Sequence, residues 1–506
     1  MILFDSLIGY YLKRRIPRIE LFLRQPHDVQ QQQFTGLVNA ALFTEIGKEY
    51  DFASIRTTQD FKNRVPVFDY ETFKPYIERV MRGEQNITWR SDIYWFAKSS
   101  GTTSDKSKFI PVSKEALDEC HYRGGRDCMA LYLNNFPDSK ILSTKGLVMG
   151  GSHQVSHLNE NAKYGDVSAV MLQNMPMIGK MMQVPDLSIA LMNDWEEKID
   201  KMARATMIEN VGYMAGVPTW TIVLLNHLFE TGNTKNIFDI WPNLELYLHG
   251  GVSFKPYREQ FKKLIPSDKM HYMETYNASE GFIAIQNDLK TDDLLLMLDY
   301  GIYYEFIPME EIEKENPRAL DLHEVELNKN YALLISTNSG LWRYQIGDTI
   351  RFTSLSPYKI QIAGRVKHFI NAFGEEVMVD NTDRAIAVAC EKTNSTVKDY
   401  TVAPIYLDDK GKGGHEWLIE FDIHPDDLHE FTVLLDAELK KINSDYEAKR
   451  FKNIALQLPV VHSISSGIFF NWLKSKGKLG GQNKVPRLSN DRKYLDDVLL
   501  FVRQNS

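Results

Sequence analysis

The chain has 506 residues, 43% hydrophobic and 25% charged, which is enough to bury a large core in two or more domains. A formal net charge of −8 gives no general electrostatic reason to bind nucleic acid, and an odd, sparse set of cysteines (Cys120, Cys128, Cys390) excludes a disulfide framework and fits a reducing, cytoplasmic setting. The apolar stretch from Met1 to Tyr11 is interrupted by Asp5 and followed, not preceded, by the basic cluster Lys13-Arg14-Arg15, so neither a signal peptide nor a membrane role is expected.

Residues 1–50 read as helical, with Leu21, Phe22, Phe34, Leu37, Ala40 and Leu42 as apolar positions. The stretch 66–83 predicts a turn leading into another helix. Ile93 to Ala97 reads as a buried strand and Phe109 to Val112 as a second apolar run, and Ser113 is placed to cap a helix through Cys120. Further helices are predicted over 196–214 and 218–230. Short apolar runs punctuated by glycine lie at Gly146 to Met149, Leu244 to Leu248 and Ala332 to Ser336. Such alternation predicts an α/β fold: a large N-terminal mixed α/β domain, residues 1–370, with helix-covered sheets. From about residue 375 the texture changes. Val397 to Tyr406 and Glu416 to Ile423 read as strands, Asp426 to Asn443 as an amphipathic helix and Ala455 to Val461 as a third strand. Residues 371–506 are therefore expected to form a small mobile C-terminal α+β domain, with a hairpin loop at 410–415 (KGKGGH) and a basic, glycine-rich loop at 474–487.

Four segments carry candidate chemistry. SSGTTSDKSK at 99–108 packs hydroxyls around one glycine and ends in lysines. Gly101 lets a polyphosphate approach the backbone, the Ser and Thr hydroxyls donate hydrogen bonds, and Lys106 or Lys108 supplies charge. It is not a Walker loop, and a solvated hairpin tip is the bland alternative. YNASEG at 276–281 offers Tyr276 to stack on a planar base and Glu280 to hold Mg²⁺ beside phosphates; a plain glycine-bearing turn is the alternative. GLWRYQIGD at 340–348 ends in a Gly-Asp turn whose Asp348 can accept from both hydroxyls of a ribose, although Asp is also an ordinary turn residue. In GRVK at 364–367, Arg365 can add a contact to ribose or phosphate, or simply make a surface ion pair.

The order of these segments resembles the adenylate-forming superfamily of acyl-CoA synthetases, nonribosomal adenylation domains and luciferases. YETFKPYIERVMRGE at 70–84, with SSGTTSDKSKFIPVS, YNASEG, LWRYQIGD and QNKVPR in sequence, is similar to one branch of it: the auxin-responsive acyl-acid amido synthetases, which join plant-hormone carboxylates to amino acids and have bacterial relatives. GRVKHFINAFGEEV at 364–377 departs from the plant enzymes toward general adenylate-forming ones, so hormone specificity does not transfer.

The resemblance implies two half-reactions. A carboxylate and MgATP give acyl-AMP and pyrophosphate, and the amine of an amino acid then attacks the acyl carbon. It implies that Ser99, Ser100, Gly101, Thr102, Thr103 and Lys108 serve the β- and γ-phosphates, and that Tyr276, Asn277 and Ala278 frame adenine with Gly251 and Val252 of HGGVSF. Glu280 then holds Mg²⁺ and Asp348 the ribose, with Arg365 nearby. A lysine of the small domain closes on the α-phosphate and the reacting carboxylate; Lys484 in QNKVPR is the best match and Lys478 its rival. The hinge is expected near Arg365 to His368. No residue identifies itself as the base that deprotonates the amine, although His153 and His249 are placed for inspection. The expected partners are a carboxylic acid and an amino acid, with no nucleic acid and no membrane. The oligomeric state stays open, with a monomer favoured. An acyl-CoA ligase using the same adenylate, and a non-catalytic nucleotide-binding protein, are the alternative readings.

Overall fold

The computed structural model describes residues 2–100, 107–150, 156–192, 194–252, 254, 257–312, 314, 316–365, 369–375, 377–406, 412–453, 455–476 and 486–505. Four helices open the chain, Ile2–Lys13, Ile16–Arg24, Pro26–Ala40 and Glu45–Glu49. The helix Tyr70–Met81 starts at a reciprocal cap in which Asp69 accepts from the Thr72 amide and Thr72 accepts from that of Asp69. Among the described residues no helix is long and apolar enough to cross a membrane.

The strands up to residue 365 are β1 (Trp95–Ser100), β2 (Ser107–Val112), β3 (Lys145–Val148), β4 (Ser156–Asn159), β5 (Ala162–Gly165), β6 (Gln183–Val184), β7 (Val211–Gly216), β8 (Leu246–His249), β9 (His271–Ala278), β10 (Gly281–Ile285), β11 (Leu294–Leu296), β12 (Ile302–Pro308), β13 (Asn330–Thr337), β14 (Tyr344–Leu355) and β15 (Tyr358–Arg365). Eleven of them make one mixed sheet in the order β12-β13-β14-β15-β11-β10-β9-β8-β7-β3-β6. Its β6, β3, β7, β8 and β9 run parallel, and the remaining neighbours are antiparallel. A four-stranded sheet, β2-β1-β5-β4, carries the hydroxyl-rich hairpin, with β1 parallel to β5.

Beyond β15 lie β16 (Phe369–Ile370), β17 (Val377–Met378), β18 (Thr396–Ile405), β19 (Gly414–Ile423) and β20 (Val460–Ile464). In the β18-β19-β20 sheet, side chains alternate between two cores. Val402 and Trp417 pack with Phe431 and Leu435 on one face, and their neighbours Ala403 and Leu418 pack with Trp472 and Val498 on the other.

The mixed α/β class stands, two expected elements change and two helices are added. The helix expected over 196–214 is the helix Trp195–Met207 followed by β7. VGYMAG lies in a parallel strand, where continuous apolar character cannot be told from a helix by period alone. The third strand expected at Ala455 to Val461 starts only at Val460, because Pro459 has no N–H to give a ladder. The helices Ile468–Ser475 and Lys493–Asn505, which cover the second face of this sheet, were not expected from the sequence.

Candidate functional site

In open α/β sheets ligands bind beyond the carboxyl ends of the parallel strands. Here that edge carries Gly150 after β3, Val217 and Trp220 after β7, Gly251 and Val252 after β8, and Tyr276 to Ala278 at the end of β9. The β9–β10 hairpin closes on the pair Ala278 and Gly281, which leaves Ser279 and a buried Glu280 as its two-residue loop.

Tyr276 and Asp348 meet. Both are buried, and the Tyr276 hydroxyl donates to Asp348 Oδ2 at 2.5 Å. Asp348 does not sit in a Gly-Asp turn as the sequence suggested; it lies within β14, opposite Arg365 of β15. The glycine signal belongs to a bulge. Ala332 pairs with Thr349 but Leu334 with Gln345, and Gly347 takes the extra length at φ +98°, a conformation that disfavours other residues. Arg365 ends β15, and its side chain lies outside the described residues.

Asn277 faces a different partner. Its Oδ1 is 2.9 Å from His121 Nδ1, and its Nδ2 lies 3.9 Å from Met171 Sδ. His121 belongs to a single π-helical turn, Leu117–His121, set between the Ser113-capped start of the helix and Tyr122–Asn135. Such turns recur at functional sites because they displace side chains from the α-helical stripe. The neighbouring Cys120 Sγ accepts from the Phe282 amide at 3.1 Å and so docks the turn on β10, while the Tyr122 hydroxyl donates to Met171 O at 2.7 Å. Burial drives His121 down to about 4, so its ring is neutral and Nδ1–H donates to Asn277. Sequence reasoning missed His121 and Met171. The adjoining Cys120-His121 in a segment read as plain helix was the available signal.

The hydroxyl-rich stretch is shorter as a loop than expected. Ser99 and Ser100 belong to β1 and Lys108 to β2, with Ser99 paired to Lys108. The Lys108 ammonium lies 5.7 Å from the centre of the Tyr70 ring, so the helix Tyr70–Met81 flanks this hairpin. Gly101, Thr102, Thr103, Lys106, His153, Lys478, Lys484 and the hinge residues Val366 to His368 lie outside the described residues. Gly251, at φ +80°, accepts on its carbonyl from Asn371 Nδ2 at 3.0 Å, and Val252 is buried. The His249 ring stacks on Phe254 at 4.0 Å, and burial lowers its pKa to about 3. Among the described residues no three His, Cys, Asp or Glu side chains gather as a metal cage. A single carboxylate such as Glu280 suits Mg²⁺, which dehydrates reluctantly and is held by one or two carboxylates plus substrate phosphates.

The fold is thus a large mixed sheet with Tyr276 and Asp348 joined beside the carboxyl ends of its parallel strands, followed by a separate C-terminal sheet. Models of the GH3 family N-terminal, central and C-terminal domains match residues 15–270, 295–365 and 380–493, and the chain belongs to the GH3 family. The resemblance read from the sequence is thereby borne out. The chain is 24% identical to the indole-3-acetic acid-amido synthetase GH3.3 of Arabidopsis thaliana, over 93% of this chain and 90% of that protein. It is 21% identical to the 4-substituted benzoates-glutamate ligase GH3.12 of the same plant, over 86% and 88%. Among solved structures, GH3.15 acyl acid amido synthetase superposes with a TM-score of 0.59 at 17% identity, over 94% of this chain and 93% of that one. 2-Hydroxyisobutyryl-CoA ligase, in complex with 2-HIB-AMP and CoA, superposes at 0.56 and 11%, over 96% and 93%.

Proposed function

We propose that this chain is an ATP-dependent acyl-acid amido synthetase, which activates a carboxylic acid as acyl-AMP with release of pyrophosphate and then passes the acyl group to the amine of an amino acid. The observation that carries the reading is the Tyr276–Asp348 hydrogen bond, which joins the base-framing and ribose-holding residues at one strand edge in a chain of the GH3 family.

A carboxylate is a poor electrophile because its charge repels nucleophiles and oxide is a poor leaving group. Activation therefore needs placement and charge neutralisation more than acid–base work. Ser99, Ser100, Gly101, Thr102, Thr103 and Lys108 take the β- and γ-phosphates. Tyr276, Asn277, Ala278, Gly251 and Val252 frame the adenine, Asp348 accepts from the ribose hydroxyls, and Arg365 stands beside it. Glu280 holds Mg²⁺, which neutralises phosphate charge when bound. Lys484 brings its ammonium to the α-phosphate and the reacting carboxylate. Residues 1–370 form the large domain and 371–506 a lid that turns near Arg365 to His368 between the two half-reactions. The setting is cytoplasmic.

An acyl-CoA ligase is the second reading, favoured by the fold shared with 2-hydroxyisobutyryl-CoA ligase. ATP–pyrophosphate exchange across a carboxylic-acid library, followed by an amino-acid screen on the best acid, separates them. An amide with AMP release is expected. A thioester formed with CoA, and no amide with any amino acid, overturns the proposal.

A further inference from the structure

A lysine of the C-terminal region is buried against the N-terminal part of the molecule. Lys449, on the helix Ser444–Arg450, is 7% exposed, and its ammonium stands 4.9 Å from the centre of the Trp220 ring. Trp220 lies in the first turn after β7, so the contact falls on the carboxyl edge that holds the site. The connecting segment closes over it. A Cβ at Gly374 would sit 3.2 Å from Lys449 Cε and 3.9 Å from Val217 Cγ1, so only glycine packs there without pushing, and Gly374 already stands at φ +87°. Two further contacts join the same segment to the N-terminal part: Asn371 Nδ2 donates to Gly251 O at 3.0 Å, and the Tyr257 hydroxyl donates to Ala372 O.

Lysine is rarely buried without compensation, and here the compensation comes from both sides. Burial lowers its pKa, and Asp445 and Glu375 of the C-terminal region with Asp166, just past β5, offset part of that by favouring the charged form. A second buried lysine, Lys198, donates to Gly150 O at 3.1 Å beyond β3. An ammonium on an indole thus joins the two parts of the molecule, beside the buried Ala455, which packs into the apolar cluster of Trp220, Val252 and Tyr257.

We propose that Lys449 is a positioning residue that seals the crevice over the acyl-adenylate and keeps water from it. This rests on the synthetase reading above. If the seal opens, water adds to the acyl carbon, the bond from that carbon to the phosphate oxygen breaks, and the free acid and AMP leave with protons released to solvent. AMP is then made without amide. A closed crevice suppresses this loss by excluding water until the amine attacks.

The test follows AMP and amide in the same reaction of the full-length protein, with its best acid and amino acid. K449M fills the same space and removes only the charge, and its folding is checked by circular dichroism. In K449M the AMP released per amide formed is expected to rise by about two- to thirty-fold, the span of cation–π strengths between exposed and desolvated sites. K449R, which keeps a cation on the indole, restores the ratio. A ratio equal to that of the unmodified protein, with both products falling together, makes Lys449 a packing residue and overturns the inference. An unmodified protein that releases no AMP with any acid overturns the synthetase reading instead, so the two failures are distinguishable.

Discussion

The Tyr276 hydroxyl reaches Asp348 Oδ2 at 2.5 Å although β10, β11 and β15 stand between their strands in the sheet order. Laid flat at a strand spacing of about 4.8 Å, β9 and β14 would be about 19 Å apart. The sheet must therefore curl, and the span between them holds the three-residue β11 and register shifts in the β14–β15 and β9–β10 ladders where it can do so.

That bond fixes the Asp348 carboxylate, proposed above to meet the ribose, and Tyr276→Phe tests it. Removing one partner of a buried hydrogen bond costs about 1–3 kcal/mol, more where the group left behind is charged. The KM for ATP in pyrophosphate exchange is expected to rise by about tenfold or more in Y276F and further in D348A, with the rank order of acids unchanged. A changed acid preference with unchanged ATP dependence would place these residues in the acyl pocket.

Arg343 in LWRYQIGD is structural. Its Nε lies 3.1 Å from both Glu305 carboxylate oxygens, and its Nη1 donates to Val65 O at 2.6 Å and Lys62 O at 3.1 Å. Arg343, Glu305 and Val65 are buried, and the pair clamps β12 to the start of the strand bearing Asp348. R343M leaves a buried carboxylate alone and is expected to lower stability by about 3–5 kcal/mol, read from urea unfolding. The double variant R343M/E305L is expected to recover part of that loss. A single variant as stable as the unmodified protein refutes the clamp.

Much of this was legible in the sequence where local chemistry decides. Ser113 caps its helix as expected, its Oγ accepting from the Ala116 amide, and YNASEG carries a turn, at Ser279 and Glu280, between two strands. Where tertiary context decides, the sequence misled. The glycine before Asp348 reads as a turn in a one-dimensional pattern, but in the sheet it absorbs a bulge opposite β13. The π-helical turn that aims His121 at Asn277 leaves no periodic trace over five residues, and its register is set by Cys120 docking on the Phe282 amide, 162 positions away in the chain. Lys449 was equally silent. In sequence it is one of several charges in EAKRFK, and only the approach of Trp220 makes it a buried cation.

The buried histidines make stability depend on pH in a definite direction. His121 is held near 4, against about 6.5 in an unfolded chain, so between these values the unfolded state binds more protons. The contribution is whole above about pH 6.5 and falls as pH drops toward 4, by about 3 kcal/mol in all. His249, held near 3, acts in the same sense. Asp127, raised to about 6 by burial, acts in the opposite sense, so a single acid titration of the protein mixes the two. The comparison of H121N with the unmodified protein isolates one group: the urea midpoint of the variant should fall less between pH 7 and pH 5. Parallel curves would show that His121 titrates in the folded state as it does when unfolded.

The proposed role of the lid lysine falls to Lys484 or Lys478, and the described chain that follows Lys484 is the argument for Lys484. The Thr401 hydroxyl donates to Pro486 O at 2.6 Å and the Val402 amide to Arg487 O at 2.8 Å, so the strand β18 grips the chain two residues after Lys484. Arg487 is itself held by Asp383 at 2.6 Å. A lysine next to such an anchor can be delivered to a fixed point when the C-terminal region closes, which a charge-neutralising group requires. Lys478 follows Lys476, whose ammonium pairs with Asp497 at 2.7 Å on the far face of the C-terminal sheet, facing the helix Lys493–Asn505. K484A is therefore expected to slow pyrophosphate exchange by about 10²–10³-fold, the usual effect of removing one preorganised electrostatic group, with melting temperature unchanged. K478A is expected to stay near the unmodified rate. Exchange measured on both variants with the same acid decides the matter: a large loss in K478A with K484A active would move the catalytic role six residues toward the helix Ile468–Ser475 and detach it from the β18 anchor.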